Sequence, residues 1–408
     1  MKKTELRKYA RLIARKGVNV QKGQSVIVCA ELEQPEFVAM VVEECYRAGA
    51  AQVRVEWTYV PLTRLDVRFC KPAVLEKVED WQIEKIKHRV QVLPAMIYLI
   101  SDDPDALSGI NMEKYVKASQ KKRMIIKPYR DEMENKYTWC IAAVPGKGWA
   151  KKLFPGERAS VAMEKLWQAI LSCSRAIGDP EENWEKHNED LHSRCDYLNS
   201  LALETLEYKS ANGTDFRVGL IPNAQFLGGS EKVLGKDVIY NPNIPSEEIF
   251  VSPMRGRAEG IVYSTKPLVF EGTPIENFSI RFENGKAVEV HAEKNEELLK
   301  KMIAMDEGAA YLGECALVPY ASPIRESGIL FYNTLFDENA ACHLALGMGF
   351  SNCIKDYEKY SLKECQAMGI NDSVIHEDFM IGSQDLDITG ITKDGKRVPI
   401  FRNGNWAF

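Results

Sequence analysis

The sequence predicts two domains of different class. Residues 1–185 read as an α/β N-terminal domain around a mostly parallel sheet, and residues 186–408 as a β-rich α+β C-terminal domain. Three observations carry this. A chain of 408 residues exceeds what one core usually serves. Its first part alternates short apolar runs with helical patterns, the order of β-α-β units. From Leu203 onward, Asn212-Gly213, Asn284-Gly285, Asp394-Gly395 and Asn403-Gly404 each sit between alternating runs, a strong hairpin signal.

The elements follow in order. Leu6 to Lys16 is amphipathic and predicts a helix. Ser25 to Ala30 is a continuous apolar run, as expected of a strand buried on both faces. Gln34 to Ala48 reads as a helix that Gly49 stops. Ala51 to Trp57 is a second strand, with Val53, Val55 and Trp57 on one face; Ala95 to Ile100 and Thr138 to Val144 are the third and fourth. Pro72 to Asp80 has a helical pattern. Two further helical stretches, Pro155 to Ile177 and Pro180 to Leu203, separate the domains, and helices are expected at Glu293 to Met305 and near His343.

Composition narrows the function classes. The hydrophobic fraction of 45% and charged fraction of 27% are those of an ordinary globular chain. A net charge of -5 with dispersed Lys and Arg gives no nucleic-acid footprint and no polybasic membrane patch. The longest apolar run, Pro94 to Ile100, is far shorter than a membrane span, and the basic N-terminal segment lacks the apolar core of a signal peptide. Ten scattered cysteines without a Cys-x-x-Cys pair read as reduced thiols, which places the protein in the cytoplasm. A nucleotide cofactor in the N-terminal domain lacks its signature. Glu31-Leu-Glu-Gln-Pro35 follows the first strand where a Gly-rich turn would stand, and no Gly-Lys-Ser/Thr loop occurs.

Chemistry-bearing residues gather in the second half. His343 lies in a run of small apolar residues, Ala340 to Leu346, where a lone histidine is more often packed core than ligand. In Ile375-His376-Glu377-Asp378-Phe379, a strand would put His376 and Asp378 on one face and Glu377 on the other. An imidazole and a carboxylate so placed are common metal ligands. Glu314, in Tyr311-Leu-Gly-Glu314-Cys-Ala-Leu, is a carboxylate flanked by apolar residues, and burying it is costly without a partner. Glu247-Glu248 after Ser246 reads equally well as a helix N-terminus. His187 and His192, five apart on a helix, fall on different faces in a solvated charge run, so they are not a ligand pair.

Taken together, NPNIPSEEIFVSP, YLGECALVP, SGILFYNTLFDENAACHLALG and SVIHEDFMIGS resemble the M29 family of metal-dependent aminopeptidases, the aminopeptidase T and PepS group. Lys266-Pro267-Leu268 and Gly369-x-Asn371 extend a likeness that covers essentially the whole chain. The resemblance implies two divalent ions per chain held by Glu248, Glu314, His343, His376 and Asp378, with Glu314 bridging and Glu248 the candidate general base. It also implies a homodimer acting on short peptides. Zn, Co and Mn all suit such mixed ligands. Cys315 and Cys342 read as packing residues.

One position departs from the pattern. Seven residues after the first histidine the family usually carries a tyrosine, and this chain has Phe350. Two functions therefore stay open: an aminopeptidase, or a catalytically weak metal-binding homologue that binds a peptide or partner.

Overall fold

A computed structural model describes residues 1–101 and 103–408. The chain divides into two units. One comprises 1–188, 230–246 and 271–273; the other comprises 189–229, 247–270 and 274–408.

The first unit is built on a five-stranded sheet whose pairings are all parallel. Its order is Asn243–Ile244, Trp139–Ala143, Ala95–Ile100, Ser25–Glu31, Gln52–Thr58. The apolar run at Ser25 becomes a central strand, and Gln52–Thr58 is an edge strand, which leaves Trp57 44% exposed. Helices Lys3–Leu12, Pro35–Ala48 and Ala159–Cys173 supply Tyr9, Phe37 and Trp167 to one aromatic cluster, with ring centroids 5.5 and 5.2 Å apart. Gly49 ends its helix at φ 110, a left-handed cap that a side chain would strain. The helical pattern at Pro72 to Asp80 resolves into two pieces, Pro72–Leu75 and Asp80–Val92. Glu79 and Gln82 form a capping box that starts the second helix afresh. Met112–Met133, a 22-residue helix, was not foreseen in the sequence pattern.

The second unit holds two antiparallel sheets. One has nine strands, and the four hairpins expected from Asn-Gly and Asp-Gly all form there. At Asn284-Gly285 both residues have positive φ, 51 and 80, as the tight hairpin turn requires. The other sheet has five strands in the order His376–Met380, His343–Gly347, Leu312–Leu317, Ile249–Val251, Leu227–Gly228.

Two expectations are corrected here. The helix near His343 shrinks to the turns Thr334–Asp337 and Glu338–Ala340, and His343 itself opens a strand. That strand is zipped between two others, so pairing on both edges overrides the helix preference of its alanines. Glu247-Glu248 starts no helix; the chain runs directly into the strand Ile249–Val251. No described helix is long and apolar enough to cross a membrane.

Candidate metal centre

Strand register places the candidate residues. Ala345 pairs with Glu314 on one side and Asp378 on the other, so all three project from one face of the sheet. Gly347 is opposite His376, and Ala316 is opposite His343. Neighbouring strands lie about 4.8 Å apart, so the backbones of Glu314 and Asp378 stand two strand spacings apart and their side chains converge over a floor of small residues. A larger residue at position 345 would fill that space. Glu248, just ahead of the next strand, completes the set.

The five residues predicted from sequence form two groups that share one member. Ligand atoms of Glu248, Glu314 and His343 lie within 4.8 Å of one another, and so do those of Glu314, His376 and Asp378. Glu248 Oε2 is 3.1 Å from His343 Nε2. His376 Nε2 is 3.0 Å from Glu314 Oε2 and 3.3 Å from Asp378 Oδ1. The other ring nitrogens face carbonyls: His343 Nδ1 lies 3.2 Å from Ala341 O, and His376 Nδ1 lies 2.7 Å from Met348 O. Donation from each Nδ1–H fixes the ring orientation and turns Nε2 inward toward the carboxylates.

Sequence reasoning missed one acidic residue. Glu338 is buried where the charges of Asp378, Glu248 and Glu314 act on it. Asn339 Nδ2 donates to it at 3.2 Å, and Asn339 Oδ1 accepts the Glu247 N–H at 2.6 Å, so one buried amide ties Glu338 to the segment carrying Glu248. The only cue was its place in Asp337-Glu338-Asn339, which reads as a solvated turn.

The electrostatics are those of a site short of positive charge. Burial, aided by the charges on Glu248 and Asp378, outweighs the His376 hydrogen bond and lifts the Glu314 carboxyl to about 7. Burial, then the carboxylates of Asp378, Glu248 and Glu314, push Glu338 well above the usual range. Burial opposes charge on both imidazoles, yet the surrounding carboxylates raise His343 to about 9 and hold His376 well above its ordinary value. For Asp378 burial works upward, but the neighbouring His376 brings its pKa below the usual value. Asp378 Oδ1 is nevertheless buried without a hydrogen bond. His376 Nε2 carries at most one proton, and Glu314 is the nearer acceptor. A buried carboxylate oxygen left over among acidic neighbours fits a bound cation.

The remaining candidates are accounted for. Cys315 and Cys342 are fully buried thiols, raised by burial, as packing residues are. His187 sits 2.7 Å from the Ser246 carbonyl, edge-on to Trp184. Phe350 packs its ring 4.8 Å from the His376 ring and 5.5 Å from Phe250.

The chain resembles known proteins along its whole length. The chain is 40% identical over 406 residues to aminopeptidase AmpS of Bacillus subtilis, spanning 99% of this chain and 98% of that one. It is 38% identical over 407 residues to aminopeptidase T of Thermus thermophilus, spanning 99% of each. The solved structure of wild-type AmpT from Thermus thermophilus matches it with a TM-score of 0.89, at 37% identity over 100% of both chains. The family profile described as thermophilic metalloprotease (M29) covers residues 2–406, and the chain belongs to that family.

Proposed function

We propose that the protein is a dinuclear metal-dependent aminopeptidase that releases N-terminal residues from short peptides, with its catalytic apparatus in the β-rich unit. The observation that carries this reading is Glu314, one buried carboxylate shared by two ligand groups. A carboxylate can give one oxygen to each of two ions. Glu248 and His343 would complete one ion's set and His376 and Asp378 the other's, with Glu338 as a further carboxylate donor. Two such ions would lower the pKa of a water and polarise the scissile carbonyl. Glu248 is the candidate to take the water's proton and return it to the leaving amine.

Zn, Co and Mn all suit this donor set. Ten free thiols accord with a cytoplasmic enzyme, and family likeness with a homodimer. The test is release of free amino acids from a small peptide panel, with chelator and with each metal restored. About two ions per chain and chelator-sensitive turnover are expected. A metal-replete protein that binds no ion overturns the reading.

One observation favours a second reading. The ring that covers His376 has no hydroxyl, because Phe350 stands where the family usually has tyrosine. A metal-loaded protein that binds peptides but turns them over very slowly would identify a binding homologue.

A further inference from the structure

The loop that leads into His376 is held by side chains outside the ligand set. Asp306, just after the helix Glu296–Ile303, accepts three hydrogen bonds. Its Oδ1 takes the Ala309 N–H at 2.8 Å and the Ser373 hydroxyl at 2.8 Å; its Oδ2 takes the Val374 N–H at 2.6 Å. Asn371, 1% exposed, donates from Nδ2 to two carbonyls, Gly308 O at 2.9 Å and Gly347 O at 2.5 Å. Two backbone bonds close the loop, Gly349 N–H to Asn371 O at 2.9 Å and Met348 N–H to Ile375 O at 2.7 Å.

Two glycines make the approach possible. A Cβ on Gly308 would stand 1.7 Å from the Asp372 carbonyl oxygen. One on Gly347, where φ is +106°, would stand 2.1 Å from that of Ile375. The loop is therefore pressed onto the strand His343–Gly347 where that strand ends, and Met348 follows directly. The Met348 carbonyl orients the His376 ring. Anything that fixes 371–375 against 347–349 fixes both the backbone of His376 and the acceptor that sets its rotation.

We propose that Asp306 and Asn371 are positioning residues for His376, acting through the 371–375 loop and the Met348 carbonyl. The proposal rests on the metal-centre reading above. Outer partners of a ligating histidine typically alter metal affinity about ten- to a hundred-fold. A misplacement of even about 0.5 Å degrades a site of this kind. Ser373 contributes one of the three bonds to Asp306, so its loss should act in the same direction but less.

The test compares Asp306→Asn, Asn371→Ala and Ser373→Ala with a matched control, Asp385→Asn. Asp385 makes the same kind of bonds, from the Ser210 hydroxyl at 3.1 Å, the Ser383 hydroxyl at 2.6 Å and the Ala211 N–H at 2.7 Å, but braces a turn that carries no ligand. Two readouts are used: cobalt(II) titration followed by its visible absorption, and amide hydrogen exchange of residues 374–377 in metal-free protein. Expected are a cobalt affinity about ten-fold lower or more, a changed absorption band, and faster exchange in Asp306→Asn and Asn371→Ala, with the control unchanged in both. Wild-type affinity, band and exchange in Asp306→Asn overturn the proposal, as do equal losses in the control. If Asp306→Asn fails to fold, Ser373→Ala decides: unchanged affinity and exchange overturn it. Wild type that binds no cobalt sinks the proposed function instead, and the exchange measurement alone then decides for or against the brace.

Discussion

Met348 presents its carbonyl oxygen 2.7 Å from Nδ1 of His376, which leaves Nε2 of the same ring 3.0 Å from the Glu314 carboxylate. A ring fixed at one nitrogen by main chain and aimed by the other at a carboxylate has the orientation expected of a metal-ligating imidazole. His376→Ala and Glu314→Gln are each expected to abolish peptidase activity while leaving a folded protein. Circular dichroism and activity with Zn, Co or Mn restored check this, and substantial turnover in either variant would count against the ligand assignment.

Ala345 forms the floor between Glu314 and Asp378 and is fully buried. Valine suits a strand but adds two methyl groups where ions would sit. Ala345→Val is expected to cost about 1–3 kcal/mol through overpacking and to bring metal content below one ion per chain. Elemental analysis decides; two ions retained would show that the floor has room to spare.

Phe350→Tyr adds beside His376 the hydroxyl that the resemblance to the family implies. One donor to the oxyanion is typically worth about 10²–10³ in kcat. A rise of about ten-fold or more, roughly 1.4 kcal/mol, with metal content unchanged, is expected on a common aminoacyl substrate. If the wild type already turns over rapidly and the variant does not differ, the ring only packs.

The metal-free protein should lose stability as pH rises. Glu314, raised from 4.5 to about 7, binds its proton more tightly folded than unfolded, so ionising it between those values disfavours the fold. His343, raised from 6.5 to about 9, contributes stability that is fully present below 6.5 and lost as pH passes 9. Asp378 acts oppositely, and only at acid pH, because its pKa is lowered. Each proton held only by the folded state is worth about 1.4 kcal/mol per pH unit. Thermal melts with chelator should therefore fall from pH 6 to 9, and saturating metal should flatten the slope while releasing protons on binding. A chelated protein whose melting temperature does not fall over that range would contradict this account.

The strand face of His376 and Asp378 was legible because period two is a local property, and the hairpins because Asn-Gly carries its own backbone preference. Glu314 was legible as a charge in an apolar run. His343 was placed in the wrong kind of element, because alanines favour helix until partner strands claim the backbone. Glu338 was invisible for a related reason. Its burial depends on Asn339 and on strands far away in sequence, while its neighbours look like a polar turn. The brace at Asp306 likewise joins residues more than sixty positions apart.

Ser246 and Glu248 are two residues apart, yet they fall in different units. The stretch before them, 230–246, supplies the parallel sheet's last strand and buries Val233, Tyr240 and Ile244. A fragment beginning at Glu189 would keep all five candidate ligands but carry that stretch without its sheet. Three apolar side chains would lose their cover, and Asn243–Ile244 would offer an unpaired edge to other chains. Such a fragment is expected to aggregate, so the ligand-bearing half is not a module that recombination can move alone. Its inheritance is bound to that of the α/β half by the intervening segments 230–246 and 271–273.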